Sequence, residues 1–414
     1  MFLIEKIKNS FFPFYKSDKI KKIFYILNSE NKNQAMFVGG CVRKHFLKEK
    51  IDDIDIATSL TPNEISKKFQ NSNIQVKETG VDHGTLTLIF EGQKFEITTL
   101  RKDILTDGRH AKIEFTENWT EDSKRRDFTI NAIYLDQKGK IFDPQLGLED
   151  LKNKRVKFIG DPNQRIKEDF LRILRFIRFS IQYQSFEISE EVKKAIKVNL
   201  NGIIKLSKER VLSELEKIIK LRNFYDLFKN EFILEIFKLI FPEFKHLPRI
   251  KKLKKLYKFN DVKPEKDIIF ASMLLDSSNN HEYFFHKYKV SNQLKSNINL
   301  FSKVLKETKS YEEFFTKNLK KNIFFYGKDN MKKIFIIFNL VNKKNFNSNR
   351  IKTLSQINKS VTPKMPITGN DLFKYGFKSG KKMGQALKKI EKKWIENNFV
   401  INDSDIKALI KKLT

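Results

Sequence analysis

The first 150 residues alternate short apolar runs with polar turns, a pattern typical of strands mixed with helices. Beyond about residue 160, apolar residues recur every three or four positions, which predicts amphipathic helices with lysine-rich outer faces. The pattern therefore predicts an α+β chain, with a β-sheet part followed by an all-α part. Residues 341–366, rich in Asn, Lys and Ser, are predicted to be a linker or long loop. Strands are predicted at residues 35–38, 51–57, 74–77, 85–90, 94–99, 130–135 and 140–142.

A pair of glycines follows the first predicted strand. Gly39 and Gly40 turn the chain after the apolar run 35–38, and residues 41–47 can form a helix. Glycines let a phosphate group approach the backbone N–H groups at a helix start, and Arg43 is placed to clamp a phosphate oxygen. Taken alone, however, a Gly-Gly pair is more often a simple tight turn.

Two aspartates follow this turn and change its interpretation. Asp53 and Asp55 alternate with Ile54 and Ile56, so on a strand both carboxylates share one face and both isoleucines point into the core. Two hard oxygen ligands suit Mg²⁺. A phosphate cradle and a metal site within about twenty residues of each other form the layout that nucleotidyl transfer needs.

A third carboxylate lies in the predicted strand 94–99. Glu96 stands between Phe95 and Ile97 and could complete a metal cluster from a neighbouring strand. A solvated residue on the polar face of the strand is an equally good interpretation of the same pattern.

Two later segments are rich in arginine. In Lys124-Arg-Arg-Asp-Phe-Thr-Ile-Asn-Ala132, adjacent arginines point apart, so we expect one of Arg125 and Arg126 to reach a triphosphate and the other to pair with an acid. The segment 161–178 opens with a helix-capping pattern and predicts a single helix with a buried apolar stripe. Its other side carries Asp169, Arg172, Arg175 and Arg178.

This polar side allows two interpretations. A carboxylate acceptor one turn from a guanidinium donor can hydrogen-bond the edge of a base, and further arginines suit phosphates. The alternative is a solvated face with an ion pair between residues three apart, which is the more common meaning of this spacing.

The charge of the chain is unevenly distributed. Residues 1–150 carry 24 Lys and Arg against 23 Asp and Glu, a net of +1, whereas residues 151–414 carry 58 against 27, a net of +31. A nearly neutral first part with a strongly basic remainder suggests that a polyanion lies along the second part. Abundant Phe, Lys and Asn also suggest an AT-rich coding bias, which explains part of this excess.

Five motifs in order resemble those of the class II CCA-adding enzymes, a family that also contains bacterial poly(A) polymerases. The motifs span about residues 33–220, and Thr368–Trp394 resembles the tail of the same family. The motifs are Gly39-Gly-Cys-Val-Arg43, Asp53-Ile-Asp55, Arg125-Arg-Asp-Phe-Thr-Ile-Asn-Ala132, Glu168-Asp-Phe-Leu-Arg172 continuing to Arg178, and Leu206-Ser-Lys-Glu-Arg210.

The resemblance implies a domain order and a set of roles. It implies a nucleotidyltransferase palm at 1–150, a helical neck for base selection at 151–220, and a helical body and tail that bind tRNA at 221–414. Gly39, Gly40, Arg43 and Arg126 would hold the triphosphate of CTP or ATP, and Asp53 and Asp55 would bind two Mg²⁺ ions. Asp169 and Arg172 would read the base edge, and Arg175 and Arg178 would complete the pocket. Lys44 departs from the family, which usually has an acid there.

The expected activity is template-independent addition or repair of the 3′-CCA of tRNA. Three alternatives remain: an enzyme that adds only A, a poly(A) polymerase, and an inactive RNA-binding protein on the same scaffold. The segment Glu78-Thr-Gly-Val-Asp-His-Gly-Thr85 resembles the CCA-adding members of the family and not its poly(A) polymerases. A single cysteine, Cys41, excludes an internal disulfide, and the longest apolar run is too short to span a bilayer, so we expect a soluble cytoplasmic protein.

Overall fold

The computed structural model describes residues 13–28, 34–106, 111–260, 265–276, 278–344 and 347–411. Its spatial contacts divide the chain into two compact units, Met1–Pro242 and Glu243–Thr414. The predicted boundaries near residues 150 and 220 are a finer division, which stays a prediction. No helix among the described residues is long and apolar enough to cross a membrane.

The first unit contains a seven-stranded sheet with the spatial order β3-β4-β5-β2-β1-β8-β9. Strands β2 and β5 run parallel, and the other neighbours are antiparallel. The strands of this sheet are β1 (Ala35–Val38), β2 (Ile54–Thr58), β3 (Gln75–Gly80), β4 (Thr85–Phe90), β5 (Gln93–Thr99), β8 (Tyr134–Leu135) and β9 (Ile141–Phe142). A separate hairpin consists of β6 (Arg101–Thr106) and β7 (Ala111–Phe115).

Helices cover and extend this sheet. A capping box between Thr61 and Glu64 starts the helix that follows β2, as its sequence predicts. The helices of the first unit are α1 (Asp18–Leu27), α2 (Gly40–Phe46), α3 (Pro62–Phe69), α4 (Trp119–Arg125), α5 (Gly147–Lys152), α6 (Pro162–Glu168), α7 (Leu171–Tyr183), α8 (Glu190–Asn199), α9 (Lys208–Ile219) and α10 (Glu231–Ile240).

The predicted helix over 161–178 is two helices. Helix α6 ends at Glu168, Asp169 has extended backbone angles (φ −153°, ψ 104°), and α7 starts at Leu171. The apolar stripe predicted at Ile166, Phe170, Ile173, Leu174 and Ile177 is buried at every position except Phe170, which lies at the break and is half-buried. The break removes Asp169 from the helical face on which the sequence pattern placed it.

Two other segments also differ from their prediction. Residues 130–135 were expected to form one strand, but they form a 3₁₀ turn (Thr129–Asn131) followed by the two-residue β8. Within the predicted linker 341–366, residues Ser348–Lys359 form a helix that is capped by Asn347 and buries Leu354 and Ile357. Isolated apolar residues at helical spacing sufficed for this helix despite its polar composition.

Within its described residues, the second unit contains helices joined by loops and has no strands. Thr368 and Asp371 form a reciprocal capping box, in agreement with the capped helix expected there. The helices of this unit are α11 (Arg249–Asn260), α12 (Lys266–Leu274), α13 (Asn280–Tyr288), α14 (Asn292–Glu307), α15 (Leu319–Tyr326), α16 (Lys328–Val341), α17 (Ser348–Lys359), α18 (Gly369–Phe373), α19 (Lys381–Glu396) and α20 (Asp403–Lys411).

Candidate active site

The carboxylate of Asp55, on β2, lies close to the backbone of the turn between β1 and α2. Gly39 has a φ of +72°, a left-handed angle that favours glycine. A Cβ atom at Gly39 would lie 3.5 Å from Oδ2 of Asp55, and one at Gly40 would lie 3.8 Å from the same oxygen. The two glycines therefore leave open the space directly in front of the Asp55 carboxylate.

Strands β2 and β5 bring the three predicted carboxylates to one region. Asp55 and Glu96 are in register on these parallel neighbours, so their side chains share a face. Ile54 and Ile56 are buried on the opposite face, as the alternation predicts, and Asp53 is exposed just before β2 begins. Asp55 therefore has a carboxylate neighbour both along the chain and across the strands.

The electrostatics of Asp55 reflect this crowding. Burial raises its pKa, and the charges of Glu96 and Asp53 raise it further, while Arg126 and Arg43 oppose the shift. Among the described residues no group of three His, Cys, Asp or Glu side chains is close enough to form a metal-binding cluster. The structure thus supports Glu96 as a neighbour of the aspartate pair and leaves its part in a metal cluster as a prediction.

Arg43 is held by neutral partners. Its Nε–H donates to the hydroxyl of Tyr183 over 2.9 Å, a second N–H donates to the side-chain oxygen of Asn131, and its guanidinium lies 4.9 Å from the centre of the Phe179 ring. Within the described part of the chain, no carboxylate lies within 4.0 Å of the Arg43 guanidinium. Its positive charge is therefore oriented without being neutralised by an ion pair.

Arg125 and Arg126 both pair with one buried carboxylate. Asp122 accepts from Arg125 over 2.7 Å and from Arg126 over 2.9 Å, and it also accepts from the hydroxyl of Tyr134. Burial alone would raise the pKa of Asp122, but the two guanidinium charges hold it well below its usual range. Both arginines therefore pair with the same acid, because Asp122 lies three and four residues before them, and the expectation that one of them reaches a triphosphate stays a prediction.

The helix break at Asp169 is fixed by ion pairs that sequence spacing did not identify. One Asp169 oxygen accepts from Arg210 over 2.8 Å, and the other accepts from the backbone N–H of Leu171. Arg172 pairs instead with Glu168 over 2.6 Å. The ion pair between Asp169 and Arg172, the alternative interpretation of this spacing, is therefore not the one that forms.

The last two predicted arginines pair with acids from other elements. Nε of Arg175 donates to Asp127 over 2.6 Å, and Nε of Arg178 donates to Glu214 of α9. Burial would raise the pKa of Asp127, yet the Arg175 charge and hydrogen bond hold it well below its usual range. Both acids are themselves buried, whereas both arginines are partly exposed, so the ion pairs connect the packed interior with the surface of the site.

Most of the predicted residues thus form one region of the first unit. Asp127 also accepts from Asn131, which connects the Arg175 pair to the Arg43 contacts. Sequence reasoning assigns no role to Asp122, Tyr183 or Glu214, because none of them has a local pattern that distinguishes it from a core or surface residue. Asn131 and Arg210 lie in quoted motifs, but the motifs give neither of them a role.

Comparison with family models defines the class of the protein. The model for the Poly A polymerase head domain matches residues 35–157, which contain the glycine turn, the three carboxylates and the 125–126 arginines. Models for tRNA nucleotidyltransferase domain 2 and for an RNA and SrmB-binding site of polymerase A match residues 260–410 and 185–247. The chain is thus a nucleotidyltransferase of the kind that acts on RNA.

Full-length relatives identify the family. The chain is 31% identical to the human mitochondrial CCA tRNA nucleotidyltransferase 1, covering 98% of this chain and 93% of that protein. It is 32% identical to the CCA-adding enzyme of Ligilactobacillus salivarius, covering 94% and 95%. The chain therefore belongs to the CCA tRNA nucleotidyltransferase family.

Solved structures agree at the level of the fold. The Bacillus stearothermophilus CCA-adding enzyme in complex with CTP superposes with a TM-score of 0.68 at 22% identity, covering 96% of this chain and 98% of that one. The Thermotoga maritima enzyme complexed with tRNA gives a TM-score of 0.61, covering 97% of each chain. A β-sheet head followed by helical domains is therefore confirmed.

Proposed function

We propose that this protein adds or repairs the 3′-terminal CCA of tRNA from CTP and ATP, using the carboxylates beside the Gly39-Gly40 turn. The observation that carries the proposal is the position of Asp55 against this turn, with Glu96 in register beside it. The tRNA 3′-oxygen attacks the α-phosphate, a phosphodiester bond forms, pyrophosphate leaves, and the hydroxyl proton passes to solvent. The CCA-adding relatives support the choice of substrates.

Asp53 and Asp55 fit Mg²⁺ by their chemistry, since both offer hard carboxylate oxygens and the Asp55 carboxylate lies beside the glycine turn. The bound ions would stabilise negative charge on the phosphates and lower the pKa of the attacking hydroxyl. Glu96 raises the pKa of Asp55 beyond the effect of burial, so the pair favours a nearby cation. We therefore assign metal binding to Asp53 and Asp55, with Glu96 as their catalytic neighbour.

The arginines would have separate roles in binding the nucleotide. Arg43 would bind the triphosphate, because its charge has no carboxylate partner among the described residues and the glycines leave the backbone accessible. Arg126 faces the same carboxylates and adds positive potential, since it and Arg125 share only Asp122. Asp169 and Arg172 would read the base, with Arg210 and Glu168 holding them in place. Arg175 and Arg178 would form the wall of the nucleotide pocket.

The basic remainder of the chain would bind the RNA. Residues 151–414 carry a net charge of +31, which suits contacts to the backbone and shape of a tRNA acceptor stem and elbow. A cytoplasmic location stays a prediction that rests on the single cysteine, since the human relative is named as a mitochondrial protein.

A primer-extension assay with purified protein and Mg²⁺ tests the proposal. Transcripts ending at the discriminator base, at –C and at –CC are supplied with CTP and ATP, singly and together, beside an unstructured RNA. We expect all three tRNAs to grow to a defined CCA end while the unstructured RNA is unchanged. One A added only to the –CC transcript would indicate an A-adding enzyme, and long A-tails on any RNA would indicate a poly(A) polymerase. No extension of any RNA would indicate an inactive RNA-binding protein.

A further inference from the structure

We propose that Phe179 and Tyr183 are positioning residues that set the guanidinium of Arg43 for the triphosphate of the incoming nucleotide. Both lie one helical turn apart on α7, the helix that also carries Arg175 and Arg178. The proposal rests on the proposed function, because it assumes that Arg43 contacts the triphosphate.

One phenylalanine ring is shared by three arginines. Phe179 is almost completely buried, and the guanidinium carbons of Arg178, Arg43 and Arg175 lie 4.0, 4.9 and 5.6 Å from its centre. The ring of Tyr183 stacks on Phe179 with centres 5.9 Å apart and planes 8° from parallel. The hydroxyl of the same tyrosine accepts the hydrogen bond from Nε of Arg43. The two rings thus form one aromatic support with a polar edge, which we call the aromatic pedestal.

The charges around the aromatic pedestal make the role of Arg43 distinct. Burial lowers the pKa of Arg178, and the charges of Arg175 and Arg43 lower it further, so the three cations repel one another. Arg175 and Arg178 offset this repulsion with Asp127 and Glu214. Arg43 relies instead on Asn131, on the Tyr183 hydroxyl and on the negative face of the Phe179 ring.

Loss of the aromatic pedestal should therefore affect Arg43 most. The two paired arginines retain their carboxylates, whereas Arg43 would lose its ring contact and, without Tyr183, a hydrogen bond. A guanidinium that samples several orientations binds phosphate less tightly, because ordering it costs entropy when the ligand binds. We expect the loss to appear in contacts to the β- and γ-phosphates and to leave binding of the nucleoside monophosphate nearly unchanged.

The test compares Phe179→Leu with Phe176→Leu. Phe176 lies on the same helix, is also buried and packs on Phe128 like Phe179, but no guanidinium lies over its ring within the described part of the chain. Dissociation constants for CTP and CMP are measured by calorimetry on the full chain. We expect the ratio of CTP to CMP affinity to fall about five- to thirty-fold in Phe179→Leu, and to stay at the wild-type value in Phe176→Leu.

Two further variants keep the test decisive. Phe179→Tyr retains an aromatic face and should restore most of the ratio, and Tyr183→Phe should lower it about three- to ten-fold while leaving the KM for tRNA unchanged. Tyr183→Phe also serves if Phe179→Leu does not fold. Equal loss of CTP and CMP affinity in Phe179→Leu and Tyr183→Phe would overturn the proposal and assign the aromatic pedestal to packing alone. Failure of the proposed function is a different result, since wild-type protein would then not extend tRNA.

Discussion

Arg43 and the arginines of α7 occupy the same region but are held in opposite ways. Arg175 and Arg178 each donate to a buried carboxylate, whereas Arg43 is oriented by an amide, a hydroxyl and an aromatic ring. A guanidinium paired with a buried carboxylate has much of its charge neutralised in place, and removal of either partner leaves an uncompensated buried charge that destabilises the fold. An arginine oriented by neutral groups keeps its charge for a ligand. The comparison separates arginines that build this site from the one placed to bind an anion.

The largest effect on activity is expected at Asp55, the carboxylate beside the glycine turn. Asp55→Asn should reduce transfer to tRNA by about a thousand-fold or more, because it removes a hard oxygen ligand beside the phosphate cradle. Rates of CTP addition at saturating tRNA measure this. Affinity for tRNA should be largely unchanged, and retained activity would contradict the metal assignment.

The same variant should unfold at higher temperature. The pKa of Asp55 is raised by burial and by Glu96, so the stability of the fold is greatest when this carboxyl is protonated and decreases as pH rises through its folded-state pKa. Asp55→Asn should therefore gain about 0.5–2 kcal/mol near neutral pH and little in acid below the ordinary carboxyl pKa of about 3.9. Thermal unfolding at the two pH values measures this, and an equal gain at both would contradict the electrostatic cause.

Among the paired arginines, removal of the shared acid should mainly destabilise the fold. Asp122→Asn leaves two largely buried guanidiniums without their carboxylate, which should cost about 3–5 kcal/mol in the free energy of unfolding. Asp18→Asn is the control, since Asp18 forms an exposed ion pair with Lys21 and should cost less than about 0.5 kcal/mol. Similar midpoints for both variants in urea unfolding would contradict the structural role of Asp122.

A smaller and more specific effect is expected at Arg210, which positions the carboxylate of Asp169. Arg210→Gln removes the charged partner that holds Asp169 beyond the end of α6. The preference for CTP and ATP over UTP and GTP should fall about ten- to a hundred-fold, the value of a hydrogen bond to a charged group. Competition assays on tRNA ending at –C and –CC measure the preference, and an unchanged preference would contradict the positioning of Asp169 by Arg210.

The smallest effect is expected at the residue next to the catalytic pair. Asp52 is exposed and pairs with Lys44 over 3.3 Å, so the lysine that departs from the family has an acidic partner after all. Asp52→Asn should change stability by less than about 0.5 kcal/mol and transfer by less than about two-fold. The same extension assay measures it, and a loss comparable to that of Asp55→Asn would mean that the wrong aspartates were assigned.

Local pattern predicted the parts of this site that depend on a few neighbouring residues. The alternation at 53–56 correctly placed two isoleucines in the core, and the turn at Gly39 needed only a short strand followed by residues without side chains. The capping boxes at Thr61 and Thr368 likewise depend on residues three apart.

What sequence could not predict depends on residues far apart in the chain. The break at Asp169 is stabilised by Arg210, 41 residues later, and Arg178 pairs with Glu214, 36 residues later. Tyr183 contacts Arg43 across 140 residues. Helical periodicity carries no information about such partners, so it placed Asp169 on a continuous face and left the pairing of each arginine open. The family resemblance assigned roles to Arg43 and Arg178 but did not identify their partners.

The most direct test of the account is whether the arginine without a carboxylate partner is the one that binds the triphosphate. Affinities for CTP and CMP are measured for wild type, Arg43→Gln and Arg175→Gln, with Mg²⁺ present. We predict that Arg43→Gln loses most of the advantage of CTP over CMP while still binding CMP, and that Arg175→Gln retains the advantage in whatever fraction remains folded. A retained advantage in Arg43→Gln, with its loss in Arg175→Gln, would contradict the account.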